Sequence, residues 1–341
     1  MEKKAKQVIL DNIRAAIDFR RPQLLVKIQN FKHQSTLPLN LKNFLSFNHL
    51  ELPQLYKKGS WKRLCADAGA ISDFKEPNEK EFTRGISKKL LVCNSLSYFK
   101  FIKKLILHNF KLDQLSEEEK LMAIMFHYDF WQVAGSKLGF NSIQESLREL
   151  LNNPVMIEEL EEVVDYLISQ VDVIEKDINL GYAFPLKLHS RYNRDQILAA
   201  LRLHKFDKAS SNREGVAYKK SINTEALFIT LKKSDKEYSP TTMYDDYALN
   251  EFLFHWQSQN STAPNSPKGV SYINHKNMGK KILLFVREQN KDEYGLTMAY
   301  VFIGEAKFIK SYGAKPMNIE WKLDEPMPGY LLKESRKLAV G

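Results

Sequence analysis

The sequence predicts an α+β protein, with an all-helical module over residues 1–204 followed by a β-rich, barrel-like domain over residues 205–341. Three observations carry that reading. Before residue 205, apolar residues recur at helical spacing. After it, they gather into short β-branched and aromatic runs. Clusters of Gly, Pro and Asn separate those runs, as turns separate strands.

In the first module, Val8, Ile9, Ile13 and Ile17 line one helical face, and Leu24, Leu25, Ile28 and Phe31 line a second helix opened by Pro22. Leu41 to Phe47 and Leu55 to Ala68 read as the next two helices. Thr83 to His108 reads as two more, divided at Asn94 and Ser95. A subdomain break is expected near residues 110–115. Ser116 followed by Glu119 is a capping-box pattern, and the helix behind it carries Leu121, Ile124, Met125, Tyr128 and Trp131. Ser142 to Leu151 and Pro154 to Gln170 follow. The last helix, Asn193 to Leu203, has Asn193 as its N-cap.

Beyond Lys205 the strands expected are Ala226 to Leu231, Phe252 to Gln259, Lys281 to Glu288, Met298 to Phe302, Ala306 to Ile309 and Met317 to Leu323. The Ser-, Asn- and Pro-rich stretch from Gln259 to Gly269 reads as a surface loop, and no long helical pattern is seen after Asn250.

Composition bounds the function. Hydrophobic residues are 43 % and charged residues 27 %, a globular balance that argues against disorder. The formal charge of +10 favours polyanionic partners. The excess is not a tail: residues 205–341 hold 21 Lys/Arg and 16 Asp/Glu, the rest 30 and 25. Two isolated cysteines, Cys65 and Cys93, suggest buried thiols in a reducing, cytoplasmic setting. No leader or membrane-spanning run is visible, and no close-spaced Cys/His set forms a zinc site, so neither a membrane, a metal nor a cofactor is expected.

The segments YSPTTMYDDYALNEFLFHWQSQN, KKILLFVRE and KPMNIEWKLDEPMP resemble a domain of unknown function at the C-terminal end of bacterial DEAD/DEAH-box helicases of restriction or phage-defence type. NFLSFNHLELPQLYKKGSWKRLC and PLKLHSRYNRDQILAAL are similar to the helical region that precedes it. The resemblance implies an accessory role in DNA recognition, beside a helicase or nuclease partner. Helicase and ATPase activity are not expected. No G-x-x-x-x-G-K-[ST] loop and no DEAD or DEAH box occurs, and His204-Lys205 and His275-Lys276 lack the residue between that a phospholipase-D-like nuclease requires. By analogy with modified-base readers, the β domain is expected to have a PUA- or SRA-like shape.

Within FHWQSQ, strand alternation sets Phe254, Trp256 and Ser258 on one face and His255, Gln257 and Gln259 on the other. An imidazole and two amides in a row suit a base edge or a modified base, so His255, Gln257, Gln259 and Arg287 are the candidate DNA contacts. Thr241, Thr242 and Arg191 are candidates for phosphate. Two alternatives stand beside this reading. Asp292, Glu305 and Lys307 have the spacing of a Mg²⁺-dependent nuclease core. A protein-interaction scaffold within a defence complex needs no such site.

Overall fold

The computed structural model describes residues 20–232 and 246–339. Twelve α-helices and eight strands are found among them. In the helical module these are α1 (Arg21–Gln34), α2 (Leu41–Asn48), α3 (Leu52–Tyr56), α4 (Trp61–Asp67), α5 (Glu79–Gly85), α6 (Leu96–Leu107), α7 (Glu117–Phe130), α8 (Ile143–Arg148) and α9 (Pro154–Gln170). The helix expected over Val8 to Ile17 lies outside the described residues.

Local chemistry sets most of the boundaries. Ser116 and Glu119 form the expected capping box at α7. Ser95 accepts from the Tyr98 amide at 3.3 Å and starts α6. The single helix expected over Leu55 to Ala68 is instead two short ones, α3 and α4. Gly59 between them has φ +149°, a conformation L side chains rarely adopt, so the chain turns there. Cys65 and Cys93 are free and buried, and burial pushes both thiols well above their usual range.

The sheet contains β1 (Arg191–Tyr192), β2 (Val216–Lys219), β3 (Thr224–Thr230), β4 (Tyr247–Ala248), β5 (Leu253–Gln257), β6 (Lys281–Arg287), β7 (Tyr300–Tyr312) and β8 (Asn318–Leu323). Helices α10 (Arg194–Ala200), α11 (Pro267–Ile273) and α12 (Gly329–Ala339) complete the chain. The strand order is β2-β3-β6-β7-β8-β5-β4, with β1 also on β7. Only β3 and β6 run parallel; the other pairings are antiparallel.

The barrel expectation is corrected here. Among the described residues nothing joins the β2 edge to the β4 edge, so the sheet stays open. The reason is that half of it is buried on both faces. Ala226, Phe228, Leu283, Phe285, Tyr300 and Phe302 point to one core, shared with the helices. Leu227, Ile229, Ile282, Leu284, Val286, Val301 and Ile303 point to a second core with Trp256, Tyr272 and Trp321. A small barrel would leave the first set facing water, whereas a layered sheet uses both.

Strand β7 carries the bend between the two halves. Its first residues pair with β6 and its later ones with β8. The two strands expected over Met298 to Phe302 and Ala306 to Ile309 are this one element. A bulge near Gly304, whose φ is +113°, and a second between Phe308 and Lys310 turn it without breaking it. The predicted loop before Gly269 holds a helix start: Ser266 caps α11 by accepting from the Gly269 amide at 3.1 Å, with Pro267 in its first turn. No helix among the described residues is long and apolar enough to cross a membrane.

Candidate functional site

The open seam of the sheet is where polar groups gather. One cavity of about 490 Å³ has Val216 and Phe228 on the β2–β3 side and Trp256 and Gln257 on the β5 side. A second, of about 500 Å³, runs on toward Lys88, Gln132, Asn193 and Lys291. The two share Arg194, Arg213, Arg287 and Tyr300, so they form one cleft with two lobes.

Each arginine reaches the cleft by a different route. Arg287 ends β6 beside Thr230 of its parallel neighbour β3. Its Nε donates to Thr230 Oγ1 at 2.9 Å and its Nη1 to the Met298 carbonyl at 3.3 Å, while the guanidinium lies 4.6 Å from the Tyr300 ring centre. Arg194 is the first residue of α10, which Asn193 caps in a capping box with Gln196. Its guanidinium sits 3.9 Å over Phe228 and donates to Asn212 Oδ1 at 2.6 Å. Arg213 is exposed on the segment leading into β2. Among the described residues none of the three has a carboxylate partner, although Lys89 nearby is paired with Asp195 at 2.5 Å. Burial lowers the pKa of Arg194, and the charges of Arg213 and Arg287 lower it further against an opposing hydrogen bond to Tyr300. Like charges are therefore crowded at this site.

The residues singled out in the sequence divide between the cleft and other places. Gln257, Gln259 and Arg287 line the cleft together. The Gln257 side chain also donates to Asn318 Oδ1 at 2.9 Å, and its backbone amide donates to Asp246 Oδ1 at 2.9 Å. His255 shares their face of β5 but is covered. It stacks on Tyr247 at 4.5 Å, contacts Tyr312 and is buried. Arg191 is turned the other way: it grips Glu288 with both Nη groups, at 3.0 and 2.5 Å, and borders a different cavity with Tyr330 and His189. Thr241 and Thr242 lie outside the described residues.

Asp292, Glu305 and Lys307 are not brought together. Asp292 accepts the Tyr294 and Leu296 amides in the turn after β6, at 2.9 and 2.8 Å. Glu305 lies seven residues along from Met298, which pairs with Asn290 next to that turn, so roughly 20 Å of strand intervenes. Lys307 pairs with Asp324 and Glu305 with Lys281. Among the described residues no group of three His, Cys, Asp or Glu could hold a metal ion.

Neither Arg194 nor Arg213 is among the contacts expected from the sequence. Both come from segments far in sequence from FHWQSQ: the pairing of β2 with β3 carries Arg213 to the seam, and the pairing of β1 with β7 sets the start of α10 that bears Arg194.

Residues 186–334 match the model of a domain of unknown function, DUF3427. The match takes in every strand from β1 to β8 and all the cleft residues except those contributed by the helical module, such as Lys88 and Gln132. No curated protein matches the chain.

Proposed function

We propose that this chain is a DNA-binding accessory protein that engages DNA through the arginine cleft and reads a base or a base modification with Gln257 and Gln259. The observation that carries the reading is the convergence of Arg194, Arg213 and Arg287, none of them ion-paired among the described residues although Glu214 and Asp246 share the wall, beside two amides. Guanidinium groups match phosphate oxygens, and amides match the donor and acceptor pattern of a base edge. The net charge of +10 works in the same direction. The resemblance to helicase-associated sequences supports a further step, that the partner is a helicase or nuclease of a bacterial restriction or phage-defence system.

The test is fluorescence anisotropy with labelled DNA, unmodified and base- or backbone-modified, over a salt series. Tight binding is expected at low salt. Preference among modified forms should shrink in a folded Gln257→Ala/Gln259→Ala variant. Unchanged binding and unchanged preference in that variant would remove the two amides from the site.

A further inference from the structure

The geometry points to a cleft that takes nucleic acid as one unstacked nucleotide, with phosphate in the Lys88–Lys291 lobe and base in the Phe228–Trp256 lobe. Its substrates are then single strands or locally opened duplexes. This inference rests on the DNA-binding reading above and narrows it to a substrate class.

The first argument is the difference between the lobes. One is lined by Lys88, Lys291 and the donors Gln132 and Asn193; the other has Phe228, Trp256 and Val216 beside Gln257 and Gln259, with the carboxylates Glu214 and Asp246 also on its wall. A nucleotide has the same division, an anionic end and a flat, largely apolar end edged with polar atoms. The arginines common to both lobes stand where the two ends join.

The second argument is accessibility. A base stacked in a duplex offers only its edge, along the floor of a groove, and proteins read it with an element that protrudes. Here the reading groups line a recess of about 490 Å³. A base reaches the wall of a recess only after leaving the stack.

The third is the state of the arginines. Arg194 and Arg287 are held over aromatic rings, their guanidinium carbons 3.9 Å from the Phe228 centre and 4.6 Å from the Tyr300 centre. A guanidinium plane fixed in this way is a surface on which an unpaired base stacks. Two buried donors of the cleft wall, Arg194 Nε and Gln132 Nε2, have no acceptor among the described residues. Buried N–H groups without acceptors are costly, and phosphate oxygens or base carbonyls would supply them.

The experiment compares three labelled DNAs of one sequence at equal salt: a single strand, its perfect duplex, and the duplex with one mismatched pair. Because unstacking a base costs least in the first and third, the wild-type chain should bind both at least about tenfold tighter than the perfect duplex. Gln257→Ala/Gln259→Ala should reduce that preference, while Arg213→Ala should weaken all three forms alike. Equal binding of the three forms would overturn the nucleotide inference and leave DNA binding standing. A preference undiminished in the double-glutamine variant would overturn the placement of the base. No binding to any form at low salt would overturn both readings.

Discussion

Two charged clusters lie on the same pair of strands, and they are built differently. Near one end of β3, Glu225 is fully buried and ion-paired with Lys280 at 2.5 Å and with Lys268, and the Tyr272 hydroxyl points to it at 3.3 Å. At the opposite end of the β3–β6 pair stand Arg287, Arg194 and Arg213, which form no ion pair among the described residues, although Glu214 and Asp246 line the same cavity. The first cluster meets its charges within the fold, though Glu225 Oε2 has an ion pair and no hydrogen bond among the described residues. The second has half of an ion pair and opens onto a cleft. A protein interior accepts buried charge when an opposite charge is paired with it, and where no pair forms among the described residues, an external anion is the natural complement.

The sharpest way to break this comparison is to unbalance the first cluster. Glu225→Gln leaves two lysines without their counter-charge, one of them Lys280 with a side chain only 6 % exposed. Loss of about 3–5 kcal/mol in denaturant unfolding is expected. A loss below about 1 kcal/mol, the size of an exposed pair, would show that the cluster is not the paired unit described.

The comparison also assumes that this interior disfavours uncompensated charge, and His127 tests that on α7. Its ring is buried, with Nδ1 2.9 Å from Ser146 Oγ and Nε2 2.9 Å from the Val133 carbonyl. Burial pulls its pKa from 6.5 down to about 4, against the smaller opposing effect of the Val133 carbonyl. The unfolded chain then takes up a proton near pH 6.5 and the folded chain only near 4. The contribution is fully present above pH 6.5 and is lost as pH falls toward 4, by about 3 kcal/mol. Stability curves of wild type and His127→Asn should converge over that range, and parallel curves would contradict the account.

What was legible in the sequence was mainly local. The capping box at Ser116 and the N-cap at Asn193 are decided by residues three apart, so they could be read directly. The runs ALFIT and ILLFV marked strands, and their unbroken apolar character is the signature of burial on both faces. Read instead by strand count, they suggested a barrel, and the layered, open sheet was missed. Ser266 and Pro267 signalled α11 but were outweighed by the polar composition around them. In the cleft, Gln257 ends β5 and Gln259 lies just beyond it, and Trp256 of the opposite strand face lines the same cavity, so alternation alone does not select the cleft residues. The covering of their neighbour His255 by Tyr247 and Tyr312 depends on pairing with β4 and on the far end of β7, which no local pattern states. The same holds for Arg194 and Arg191: three residues apart in sequence, they face different cavities because Glu288 captures only one.

Arg213 and Arg191 supply the most direct test of the central claim, that the arginines without an ion pair among the described residues are the DNA contacts. The measurement is the slope of log affinity for DNA against log salt for wild type, Arg213→Ala and Arg191→Ala, each checked for folding. The account predicts that Arg213→Ala keeps its stability within about 0.5 kcal/mol and binds more weakly, with a slope shallower by about one. Arg191→Ala should lose stability, because it strands Glu288, and keep the wild-type slope. An unchanged affinity and slope in Arg213→Ala, or a shallower slope in Arg191→Ala, would contradict it.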